Sequence, residues 1–173
     1  MKRIIFNTIT LSIICGLAVS CSVGNDGSDC SQDFTGALST NEEKLVGEWV
    51  LTGIDADEAL DITDDDEDNP STDLFAQYNE CQKDAAYTFS SNRSYLLEQG
   101  QNGTNCPNKG IFDGTWQLSG NTLSFVDACI TQNVALTFNG DDTSFMFSNN
   151  FTLADVNGNV EEVTIVFTYS IVL

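Results

Sequence analysis

The stretch Val163-Thr-Ile-Val-Phe-Thr-Tyr-Ser-Ile171 decides the fold class. Val163, Ile165, Phe167, Tyr169 and Ile171 fall on every second position, and side chains two apart share one face of a β-strand. One strongly apolar face marks a half-buried strand in an antiparallel sheet, whose other face can stay solvated. The alternation repeats upstream in Phe145, Phe147, Phe151 and Leu153, and before that in Val134, Leu136 and Phe138. Ser119-Gly120-Asn121, Asn139-Gly140-Asp141-Asp142 and Asn157-Gly158-Asn159 supply the Gly and Asn that tight hairpins need at positive φ. With a first strand over 45–54, the others fall near 85–91, 94–99, 110–118, 121–129, 132–139, 143–153 and 161–172, eight in hairpin succession. Eight up-and-down antiparallel strands close into a small all-β barrel without exposed edges. A sandwich is the other architecture the alternation admits.

Between the first two strands lies a segment of another kind. Ten of the chain's 26 acidic residues lie within 55–73, and no Lys or Arg occurs between Lys44 and Lys83. Asp64, Asp66 and Asp68 alternate, with Asp73 or Asp61 nearby, as carboxylates do in calcium loops, where hard oxygens surround one ion. Pro70 then breaks the pattern, and Phe75 stands where an EF-hand carries its bidentate Glu. A looser calcium site on these aspartates is therefore the second reading, behind a solvated acidic loop. A short helix over 73–82, capped by Thr72 or Ser71, is expected to lie across one barrel end with Leu74, Phe75 and Tyr78 over the opening.

The N-terminus reads as an export signal: Lys2 and Arg3, the apolar run Ile4 to Leu17, then Ala18-Val19-Ser20 before Cys21. Polar Asn7, Thr8, Thr10 and Ser12 interrupt the run, and it is shorter than the roughly 20 apolar residues that span a bilayer. Leu17-Ala-Val-Ser-Cys21 resembles the lipobox of bacterial lipoproteins, in which the cysteine is lipidated and becomes the new N-terminus. Ala18 departs from the usual Leu at its position. The competing Cys15 follows the bulky Ile14 where a small residue is required. The division expected is a signal peptide over 1–20, a flexible tether over 21–41 and a barrel domain over 42–173. The implied partner is a lipid bilayer reached through the lipid on Cys21, at the outer membrane, on its periplasmic side or the cell surface; secretion without a lipid is the plainer alternative.

Removing 1–20 takes away two basic and no acidic residues, so the net charge moves from −20 to −22. That balance argues against nucleic acid or an anionic membrane surface as a partner. Cys30, Cys81, Cys106 and Cys129 form an even set in a chain bound for an oxidising compartment, so two disulfides are expected. Three pairings are open. Cys81 and Cys106 flank one hairpin and are the favoured pair, which leaves Cys30 to pin the tether to Cys129.

Leu45-Val-Gly-Glu-Trp49-Val-Leu-Thr resembles the GxW first strand of lipocalins. Together with Cys81-Gln-Lys-Asp-Ala-Ala-Tyr-Thr-Phe-Ser-Ser-Asn and Gly114-Thr-Trp-Gln-Leu-Ser-Gly-Asn-Thr-Leu-Ser-Phe, it is similar to the lipocalin-like domain of bacterial lipoproteins over roughly residues 42–173. The Arg that lipocalins carry on the last strand is missing from 161–173, and the only arginine after Cys21 is Arg93. The resemblance implies a barrel holding a small apolar ligand. By alternation the interior set is Trp49, Phe89, Trp116, Phe125, Phe138, Phe147 and Phe167, with Tyr95 or Tyr169 offering hydroxyls to orient a ligand. The rival reading is a solid barrel whose acidic loop contacts another protein. An enzyme is not expected, because the chain has no histidine and its acids cluster in a loop.

Overall fold

The computed structural model describes residues 30–173; Cys21, the expected signal peptide over 1–20 and the start of the expected tether lie outside the described residues. Ten strands form one antiparallel sheet: β1 Gly47–Leu60, β2 Ser71–Asp73, β3 Ala86–Phe89, β4 Ser94–Gln99, β5 Gly110–Ser119, β6 Thr122–Asp127, β7 Ile130–Ala135, β8 Thr137–Phe138, β9 Ser144–Ala154 and β10 Val160–Ile171. The order is β7-β6-β5-β4-β3-β1-β10-β9-β8, with β2 paired to β1 beside the main path. Because β7 and β8 are separated by Leu136 alone, the sheet curls round until one short chain segment belongs to both of its ends. The result is a nearly closed barrel.

The expected eight strands thus become ten. Leu136 turns its N–H to the Asn121 carbonyl and splits the sixth strand, so that β7 pairs with β6 while β8 pairs with β9. No ladder joins β7 to β9, and a seam runs between them. The extra strand β2 covers part of β1 where the acidic segment returns to the sheet. Val163, Ile165, Phe167 and Tyr169 on β10 are all buried, as the alternation requires.

Among the described residues, three one-turn helices decorate the barrel: α1 Thr40–Glu43, α2 Leu74–Gln77 and α3 Glu80–Lys83. The single helix expected over 73–82 is two, because Asn79 starts a new one: its side chain accepts from the Cys81 N–H, within a capping box closed by Gln82. Asp73, and neither Thr72 nor Ser71, caps α2, accepting from the Ala76 N–H at 2.9 Å. Leu74 is fully buried, and Phe75 and Tyr78 pack against the core at the barrel end where β1 finishes.

The disulfides are Cys81–Cys106 and Cys30–Cys129, the pairs expected. Residues 30–41, assigned to the tether from sequence, are instead bound to the barrel wall. Ser31 N–H donates to Cys129 O, Phe34 N–H to Thr115 Oγ1, and Asn41 Nδ2 to Gly120 O, so this strap runs the length of the barrel.

At the end reached by the strap, the barrel is shut. Arg93 adopts φ +71° in the β3–β4 hairpin, and its side chain is buried against the strap. All five of its N–H donors are used: two on Glu42 (2.6 and 3.0 Å) and one each on Gly36 O, Ala37 O and Trp116 O. Glu42 also accepts from Ser39 N–H, Ser39 Oγ and, at 3.3 Å, Leu118 N–H. These bonds, the one from Arg93 foremost, hold the buried Glu42 carboxyl down at about 2 against the opposing effect of burial. Above this plug, Trp49 Nε1 donates to Leu45 O and Trp116 Nε1 to Ser90 O, which satisfies both indoles.

Candidate ligand cavity

Inward side chains change character along the barrel axis. At the shut end lie the two tryptophans, with Phe89 edge-on to Trp116 at 5.3 Å and Trp49 5.0 Å from Phe145. The opposite half, between β3–β7 and β9, is hollow and holds a cavity of about 220 Å3. Its wall is built from Tyr87, Tyr95, Phe125, Phe145 and Phe147 together with Leu97, Leu123, Val134 and Leu136. Tyr95 and Phe125 have ring centroids 4.7 Å apart, Tyr87 and Phe125 5.9 Å, so the aromatic wall is continuous. Polar Gln99, Asp127, Gln132 and Asn149, with the half-exposed Phe112, form the rim.

Register explains this layering. On β6, Leu123, Phe125 and Asp127 share the inner face, and Asp127 comes last, beside the turn. Gly114 makes room on β5: a Cβ there would collide with the Val126 carbonyl oxygen and press the Tyr95 ring at 3.0 Å. The mouth loop over 100–109 is tied down by Asp84, whose carboxylate accepts from the N–H groups of Gly100, Asn102 and Gly103, and by the Cys81–Cys106 bond. Burial raises the phenol of Tyr87 and of Tyr169 above the ordinary range. Tyr95 is pushed up to about 12, by burial first and then by the negative charges of Asp127 and Asp113.

Of the interior residues expected to bind a ligand, Tyr95, Phe125 and Phe147 line the cavity. The others pack elsewhere, Tyr169 among them, stacked on Phe145 with ring centroids 5.3 Å apart. Trp49, Phe89 and Trp116 fill the narrow shut end, Phe167 stacks on Phe147 at 5.2 Å, and Phe138 lies half-buried under Lys44, whose Nζ is 3.8 Å from the ring centroid. The interior set left out Tyr87, Phe145 and Asp127, which also line the cavity, although each stands two positions from a residue it included, Phe89, Phe147 and Phe125, and Phe145 already belonged to the alternating face of its strand.

The aspartates of the suggested calcium site are not brought together. Asp73 caps α2, Asp64, Asp66 and Asp68 are exposed, and among the described residues no three acids or cysteines converge as metal ligands. Asp61, the alternative fourth candidate, and Asp65 instead close the loop: Asp61, 4% exposed, accepts from Thr63 and the Asn69 N–H, and Asp65 from the Glu67 N–H and Asn69.

Fold and cavity define the class: a small, disulfide-braced, nearly closed antiparallel β-barrel with a hollow upper half. The chain belongs to the family described as Domain of unknown function (DUF5004), which it matches over residues 24–172. No curated protein matches it.

Proposed function

We propose that this protein is a lipid-anchored, lipocalin-like binding protein whose barrel carries a small apolar ligand. The observation that carries the reading is the cavity of about 220 Å3 walled by aromatic and aliphatic side chains. Apolar cavities of this order take up benzene-sized molecules, and drug-sized ligands need about 300 Å3 or more. The hollow interior favours a carrier over a solid interaction module. The lipocalin likeness is supported by Trp49 packing at the shut end and by Arg93, which plugs that end from the β3–β4 hairpin although the last strand lacks an arginine. The reading is one of binding, supported by a chain without histidine and a cavity lined mainly by aromatic and aliphatic side chains.

The anchor is Cys21, at the outer membrane, on the periplasmic side or the cell surface. Its support is the Lys2-Arg3 start, the apolar run and the Leu17-Ala-Val-Ser-Cys21 sequence. Cys30, stapled beside the mouth, is nine positions further on, so the anchor would hold the mouth toward the bilayer. Two measurements test the proposal. Cys21→Ser moves the protein from the membrane fraction to the soluble one. The soluble full chain carrying that change binds tert-butylbenzene saturably in calorimetry, with a rise in melting temperature, and a cavity-filling Val134→Trp abolishes the binding while leaving a cooperative melt. A folded chain that takes up no tert-butylbenzene overturns the carrier reading.

A further inference from the structure

We propose that the ligand of this cavity is an organic cation, an apolar body bearing a protonated amine or quaternary ammonium group, with its charge seated between the aromatic wall and Asp127. The inference rests on the carrier reading above and assigns the ligand its charge. Tyr87, Tyr95, Phe125, Phe145 and Phe147 converge on one space. The face of an aromatic ring is its negative side, so a set of rings around a pocket attracts a cation whose charge has been partly stripped of water.

Asp127 is the only carboxylate among the lining residues, which include no Lys or Arg. The four basic residues after Cys21 are committed or distant. Arg93 is locked to Glu42 at the shut end, Lys44 lies over Phe138, Lys83 lies 5.2 Å from the Phe75 ring centroid, and Lys109 is outside the lining. A ligand carboxylate entering here would meet Asp127 with no base to receive it. Beyond the cavity, the net charge of −22 after Cys21 draws cations toward the mouth and repels anions. The negative field already acts inside the barrel, since Asp127 and Asp113 both help to raise the Tyr95 phenol.

Three probes of nearly equal shape and different charge provide the test: phenyltrimethylammonium, tert-butylbenzene and benzenesulfonate, titrated into the full chain carrying Cys21→Ser. The cation is expected to bind roughly tenfold more tightly than the neutral isostere, with benzenesulfonate weakest. Asp127→Asn is expected to bring cation and neutral probe within about threefold of each other. Equal or tighter binding of tert-butylbenzene, or a cation preference that survives Asp127→Asn, overturns the inference and leaves the carrier reading standing. Failure of all three probes to bind a cooperatively melting chain removes both.

Discussion

Glu42 and Arg93 show how much one pair can decide. Both are almost fully buried, 3% and 4% exposed, and each satisfies the other's charge. Breaking such a pair strands a charge away from water and costs about 3–5 kcal/mol. Arg93→Ala is therefore expected to lower the unfolding free energy by about that amount in urea titrations. The pH dependence has a definite sign. Glu42 ionises at about 2 when folded and at about 4.5 when free, so its contribution is complete above about 4.5 and is lost as pH falls toward 2. Urea midpoints measured across that window should fall less steeply in Glu42→Gln than in the unaltered chain. A parallel fall in both would assign the acid limb to other carboxylates.

Among the elements, the β6–β7 hairpin is the least conventional. Asp127 pairs with Ile130, leaving a two-residue turn in which Ala128 has φ +46° and Cys129 φ +71°, positions where Asn and Gly are the usual choice. A left-handed residue with a Cβ costs about 1–2 kcal/mol, part of which glycine recovers. Ala128→Gly should accordingly raise stability by about 0.5–1 kcal/mol in chemical denaturation; no gain, or a loss, would mean the turn is relaxed as it stands. This hairpin also shows where sequence reading stops. The Gly120, Asn139–Asp142 and Gly158 turns were legible because their residues advertise positive φ, whereas Ala128-Cys129 carries no such signal and the expected strand ran through it. Conversely, α1 had its signal in Ser39-Thr-Asn-Glu42, a capping-box spacing that the absence of a long periodic stretch concealed. The break at Leu136 depends on a bond to Asn121, a tertiary partner that no local pattern reveals. For the cavity, alternation identified which residues face inward; which of them touch one another and which border empty space depends on the radius of the closed barrel.

For the molecule as a whole, the two disulfides restrain loops of unequal size. Cys30–Cys129 spans 99 positions and Cys81–Cys106 spans 25, so removal by paired Cys→Ser changes should cost about 4–5 and about 3 kcal/mol respectively. Chemical denaturation of the two double variants checks the ranking, and a larger loss from the shorter loop would show that loop entropy is not the governing term. The longer bridge also determines how the barrel carries load. A pull applied ahead of Cys30 passes through the sulfurs into the turn at Cys129, and the strap behind it, from Ser31 to the Glu42–Arg93 plug, stays slack. Once the bond is reduced, the same pull runs along the strap and meets single hydrogen bonds in series, at Ser31, Phe34, Gly36 and Ala37. These give way one after another, as in peeling, and the last of them hold the guanidinium itself. An oxidised barrel can thus be dragged by its leading end without disturbing its seal, whereas a reduced one is unzipped toward it.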